Sequence, residues 1–115
     1  MSWDPVYRFI KKIPRGRVTT YGQIARSLRL RGGARAAGYA VAATPRGRGI
    51  PWHRVVGAGG RIRVPEPYSM LQRKLLASEG VVFEGQAIDM DRFGWPSIRT
   101  VPKKKRRKAP ARGKT

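Results

Sequence analysis

Few side chains in this sequence can do chemistry, and what is missing narrows the field first. Cysteine is absent, which removes disulfides, thiolate metal sites and a thiol nucleophile. One histidine, His53, stands in the segment Pro51-Trp52-His53-Arg54-Val55-Val56. A single imidazole without cysteine is a poor start for a metal site, so neither a metal nor a cofactor is expected. Trp52, taken alone, reads as a large core residue next to Pro51. Arg35 stands among Ala34, Ala36, Ala37 and Gly38. Its planar guanidinium both stacks and donates, and small neighbours let a helix approach a groove floor closely. The plainer alternative for Arg35 is one more phosphate contact. Thr20, three residues ahead of Gln23, matches a capping box. The hydroxyl and free amides at such a helix start also suit a phosphate. Tyr21 opens that helix, either as a half-buried cap on the core or as a residue facing a partner.

Charge names the class of partner. The chain carries 26 Lys and Arg against 6 Asp and Glu, a net +20. Eight of the cations fall in residues 100–115, yet residues 1–99 still hold +12. A folded surface this one-sided points to a polyanion, nucleic acid foremost, with binding that weakens steeply in salt. Solubility alone is a weaker explanation, and an RNA-binding or ribosomal role is the stronger competitor. No apolar run is long enough to span a bilayer. Met1-Ser2-Trp3-Asp4-Pro5 has none of the features of a secretory leader. The expectation is a monomer without a membrane partner, in the cytoplasm with the nucleoid if bacterial and in the nucleus if eukaryotic.

These residues need elements to hold them. Asp4-Pro5 predicts an N-cap and first helical position, followed by an apolar face of Val6, Phe9, Ile10 and Ile13. Pro14 to Arg17 forms a basic turn, and Val18-Thr19-Thr20 is extended. A second helix starts near Tyr21 with a stripe of Ile24, Ala25 and Leu28, and Gly32-Gly33 breaks it. A third runs from about Ala34 to Ala43, stopped by Pro45. The pair resembles a helix-turn-helix. Gly57-Ala58-Gly59-Gly60 predicts a turn joining Val55-Val56 to Arg61-Ile62-Arg63-Val64 as a small hairpin, or wing. Met70, Leu71, Leu75 and Leu76 mark a fourth helix closed by Gly80. Val81-Val82-Phe83 is a short extended segment, and Phe93 and Trp95 pack back on the domain. Residues 1–99 make one domain, and residues 100–115 a disordered basic tail.

The stretch from Ile13 to Ala25, then Ala34 to Gly38, Pro51 to Val56, and Leu75 to Gly80 resembles the DNA-binding domain of O6-alkylguanine-DNA alkyltransferases. The blocks keep their order and similar spacing across roughly residues 3–83. The enzymes have Pro-Cys-His-Arg where this chain has Pro51-Trp52-His53-Arg54. Indole cannot act as a thiolate does, and a tryptophan there resembles the alkyltransferase-like proteins, which bind damaged DNA without accepting the alkyl group. The resemblance implies a small winged helix-turn-helix-like α/β domain. It also implies double-stranded DNA containing O6-alkylguanine as partner, with nucleotide excision repair proteins reading the marked site. The third helix then lies in the minor groove, where an ordinary helix-turn-helix would read the major groove. Arg35 fills the gap left by an extruded nucleotide, and Tyr21 presses on the neighbouring phosphate. Trp52 lines the pocket with Tyr21 and Val55, and Arg61 or Arg63 faces the flipped base or touches phosphate. Thr20, Ala34, Ala36, Gly38 and Arg54 belong to the DNA-binding surface. His53 and Glu79, a relay in the enzymes, remain here as a structural pair.

Two departures stand out. Thr44 precedes Pro45 where the enzymes have asparagine, and the wing reads Arg61-Ile62-Arg63-Val64-Pro65-Glu66-Pro67-Tyr68, which leaves the pocket lid open to change. Three rival readings follow from the residues. One is a helix-turn-helix regulator, one a hydrolase or transferase using His53 and Glu79 on water, and one a nonspecific chromatin-like protein driven by charge.

Overall fold

The computed structural model describes residues 2–45 and 47–96. Arg46 and the predicted tail at 100–115 lie outside the described residues. In chain order come α1 (Asp4–Lys11), β1 (Thr19–Thr20), α2 (Tyr21–Leu28), α3 (Gly33–Ala42), β2 (Val55–Val56), α4 (Tyr68–Ser78), β3 (Phe83–Glu84), β4 (Ala87–Ile88) and α5 (Met90–Phe93). This is the small helix-rich α/β fold expected from the sequence.

The helix boundaries follow local hydrogen bonding, with two corrections. Trp3, not Asp4, is the N-cap of α1, and its carbonyl takes the amides of Val6 and Tyr7. Asp4 and Pro5 sit in the first turn, where a carboxylate meets the positive helix end and proline needs no donor. Thr20 caps α2, its Oγ1 accepting from the Gln23 amide at 3.0 Å. The reciprocal half of the capping box does not form, because Gln23 is engaged by Ser27 and Arg26. Nor does Gly32-Gly33 end α2. Arg29 takes the left-handed conformation (φ 53°) and turns the chain while the Leu30 amide returns to Ala25. Gly32 instead caps the start of α3 at φ 92°, a backbone state glycine adopts without steric cost.

The expected hairpin between Val55-Val56 and Arg61–Val64 is also corrected. β2 pairs in parallel with β1, Thr19 opposite Val55 and Thr20 opposite Val56. Side chains alternate across a strand, and Val55 and Val56 are both apolar, so both faces of β2 must be buried. Pairing with β1 puts Val55 into one core cluster, with Ile10, Ile24, Ala37, Ala40 and Ile50. Val56 enters the other, with Val18, Leu76, Val81, Ile88 and Phe93. The alternating Arg61-Ile62-Arg63-Val64 cannot fill that role. The antiparallel hairpin among the described residues is β3–β4, with Phe83 opposite Ile88. Phe93 closes the second cluster, and Trp95 packs edge-on to Phe9 at 5.4 Å.

The first cluster lies under α1, α2 and α3. Tyr7 donates its hydroxyl to the Ala40 carbonyl at 2.9 Å within it, tying α1 to the inner face of α3. α4 turns Leu76 and Gln72 inward and leaves Met70 and Leu71 exposed.

Candidate nucleic-acid interface

Pro51 delivers the chain into a single turn of 3-10 helix, Trp52–Arg54. Three consecutive residues of such a turn point in different directions, and here each has a separate task. His53 and Arg54 point to Glu79 at the end of α4. His53 Nε2 lies 2.8 Å from Glu79 Oε2. Arg54 donates to both carboxylate oxygens, Nε to Oε1 at 3.0 Å and Nη2 to Oε2 at 2.8 Å, and a third time to the Ile13 carbonyl at 2.9 Å. The Gly16 amide donates to Oε1 at 3.1 Å. The Glu79 side chain is 5% exposed. Burial alone would raise its pKa, but the bonds from Arg54, His53 and Gly16 overcome that and hold it at about 2. Charged hydrogen bonds of this kind are the strong ones.

Arg54 is therefore corrected from DNA-binding residue to internal anchor. Its guanidinium donates inward, to Glu79 and the Ile13 carbonyl, and its side chain is only 16% exposed. His53 and Glu79 are hydrogen-bonded to each other, but Arg54 is the larger partner of the carboxylate. Gln72, which sequence reasoning missed, is buried on α4 and donates to the carbonyls of His53 and Val55 at 3.0 and 2.8 Å. A polar residue on the inner stripe of a helix whose neighbours are Leu75 and Leu76 was the available signal.

Trp52 goes the other way. It lines a cleft of about 750 Å³ with Tyr21, Gly38, Ile50, Val64 and Tyr68, a size typical of small-molecule sites. The wall is largely apolar, and Thr44 is among its few hydroxyls. Thr44 Oγ1 donates to Val41 O at 2.6 Å, so it stays within its own helix end and does not brace the Trp52 turn. Burial pushes the Tyr21 phenol up from its ordinary pKa, partly offset by nearby Arg63.

Three of the residues assigned to the pocket from sequence are placed elsewhere. Val55 is fully buried in the first core cluster, on the inner side of β2, and reaches no cleft. Arg61 is exposed; it bridges Ala87 through its backbone, and its carbonyl takes the Gly57 amide. Arg63 lies over Gly57 and within electrostatic reach of Tyr21, at the edge and not in the wall.

α3 presents Arg35, Tyr39 and Ala42 outward, spaced four and three residues apart on one face, with Ala34 exposed in its first turn. Arg35 has no hydrogen-bond or ion-pair partner among the described residues. Gly38, on the same side, opens into the cleft. Ala36 is corrected: it is buried against the body with Ala37 and Ala40, so it does not face a partner. Thr20 spends its oxygen on the α2 cap, leaving only the hydroxyl proton for a phosphate. Among the described residues no helix is long and apolar enough to cross a membrane.

Comparison with known proteins places this geometry. The family model described as 6-O-methylguanine DNA methyltransferase, DNA binding domain, matches residues 2–81. A DNA base-flipping protein of Escherichia coli is 38% identical over 91 residues, 78% of this chain and 70% of that one. Alkyltransferase-like protein 1 of Schizosaccharomyces pombe is 37% identical over 81 residues, 69% and 75% of the two chains. The crystal structure of S. pombe Atl1 in complex with damaged DNA containing O6-carboxymethylguanine superposes with a TM-score of 0.70 at 29% identity, covering 83% of this chain and 98% of that one.

Proposed function

The chain is an alkyltransferase-like member of the 6-O-methylguanine DNA methyltransferase family, and on that premise we propose that it binds O6-alkylguanine in duplex DNA, swings the damaged nucleotide out of the stack, and transfers no alkyl group. α3 docks in the minor groove, Arg35 enters the duplex to fill the gap, and Tyr21 helps rotate the nucleotide. The base rests against Trp52. Alkylation replaces a carbonyl acceptor with apolar surface, which suits an apolar wall, and a damaged base costs less to extrude than a sound one. The kinked, long-lived complex then marks the site for nucleotide excision repair. Residues 1–99 act as the DNA-binding unit and 100–115 as a basic tail that raises affinity for the polyanion.

One observation carries the reading. Trp52 and Tyr21 share an apolar cleft that also takes in Gly38 of α3, so a cavity with ample room for a base and the outward face bearing Arg35 belong to one surface. The missing acceptor agrees with it, since indole supplies no nucleophile. His53 and Glu79 argue against the hydrolase alternative: the carboxylate is already occupied by Arg54 and Gly16.

The test is binding to matched duplexes with and without O6-methylguanine at moderate salt, with the protein mass measured afterwards. Tighter binding to the damaged duplex, an unchanged protein mass and an unchanged lesion are expected. Equal affinity for the two duplexes refutes lesion sensing, and loss of the alkyl mark revives the catalytic alternative.

A further inference from the structure

We infer that Tyr39 is a wedge that sets the bend of the bound duplex, separately from the residues that extrude the base; this deepens the reading above and rests on it. Tyr39 is 63% exposed, more than any other large hydrophobic side chain among the described residues. Apart from Arg35, the outward face of α3 is otherwise stripped down to Ala34, Gly38 and Ala42. Such a surface lets the helix backbone come close to a groove. One aromatic ring on it must either hold the helix away or enter the duplex.

Position decides where it would enter. Tyr39 follows Arg35 by four residues, so it points the same way and lies about 6 Å further along the helix axis. With base pairs stacked about 3.4 Å apart, that offset is roughly two steps from the gap Arg35 fills. The ring therefore acts at a different step from the lesion. Gly38 next to it lines the cleft, so Tyr39 flanks the opening through which the nucleotide passes. Proteins in the minor groove use apolar wedges to part base steps and kink the duplex toward the major groove. The ring, not the hydroxyl, does this work, since among the described residues the Tyr39 hydroxyl has no partner to position it.

The experiment uses the full chain and an O6-methylguanine duplex with donor and acceptor dyes at its ends and 2-aminopurine beside the lesion. End-to-end energy transfer reads the bend, and 2-aminopurine fluorescence reads extrusion. Tyr39→Ala is expected to straighten the complex and weaken binding about tenfold, while at saturation the 2-aminopurine signal matches wild type. Tyr39→Phe should behave as wild type. The exposed position leaves the fold intact, which thermal melts of the free variants check. An unchanged end-to-end distance in Tyr39→Ala overturns the proposal and turns attention to a protein partner for this side chain. Loss of the 2-aminopurine signal at saturation also overturns it, because Tyr39 would then belong to the extrusion step. A wild-type protein that bends the duplex without raising the 2-aminopurine signal defeats the proposed function instead, whatever Tyr39→Ala does.

Discussion

Glu79→Gln measures how much the fold relies on the anchor beneath Trp52. The carboxylate is held at about 2 against an ordinary 4.5, and at about 1.36 kcal/mol per pH unit this corresponds to about 3 kcal/mol of stability at neutral pH. The group's pKa is lower in the folded chain than in the unfolded one. Its contribution is therefore fully present above about pH 4.5 and is lost as pH falls through about 2. The amide keeps the shape but removes the charge, leaving the Arg54 guanidinium facing a neutral group in a largely buried site. At pH 7 the variant should melt roughly 12–24 °C lower than wild type for a domain of this size. Urea titrations between pH 2 and pH 7 provide the sharper readout. Wild type should lose about 3 kcal/mol over the acid half of that range, and Glu79→Gln should lose much less. With 6 acidic residues in the chain, few other carboxylates contribute to the slope. If the two proteins showed the same acid slope, or the variant cost under about 1 kcal/mol, the anchor would be an ordinary surface interaction and Trp52 would need another support.

Arg35→Lys keeps the charge and loses the planar fork. Lesion affinity should fall about tenfold, with the undamaged duplex changed less than about twofold, as read by fluorescence anisotropy at one salt concentration. A uniform loss on both duplexes would make Arg35 a phosphate contact. Gly60 has φ 81°, and an added β-carbon there would land on the backbone of Ile88. Gly60→Ala should cost about 2–4 kcal/mol in chemical denaturation, and a neutral result would mean that the loop and β4 separate easily.

Most of the helices were legible because each carries its own punctuation. Pro5 and Pro14 bracket α1, Thr20 and Gln23 announce α2, and the alanine-rich run ahead of Pro45 gives α3. The strand partners were not legible in the same way. Val55-Val56 followed by a glycine turn has the local pattern of a hairpin, and only the need to bury both valines selects β1, thirty-odd residues upstream. The same limit governs the site. Residue type and family resemblance single out Trp52, Tyr21 and Arg35, but whether a neighbour faces the cleft depends on its turn of backbone. Val55 and Ala36 fail for that reason, each falling on the inner side of its element. Arg54 fails for another: a cation beside a predicted DNA surface looks like a phosphate contact until its buried partner, Glu79, is in place.

The anchor has a structural task that needs no alkyl acceptor. A relay for activating a thiol has nothing to act on here, yet Glu79 joins four parts of the chain at once: the Pro14–Arg17 turn through Gly16, the segment just after α1 through Arg54 and Ile13, the Trp52 turn through His53, and α4 through its own backbone. Removing the carboxylate would free the turn that sets the angle of the indole. On the proposed function the base is bound and released unchanged, and recognition then depends on a wall that stays still while the nucleotide arrives. Rigidity of the first few residues behind Trp52 then matters as much as the indole itself, because a pre-formed apolar face loses little conformational entropy on binding.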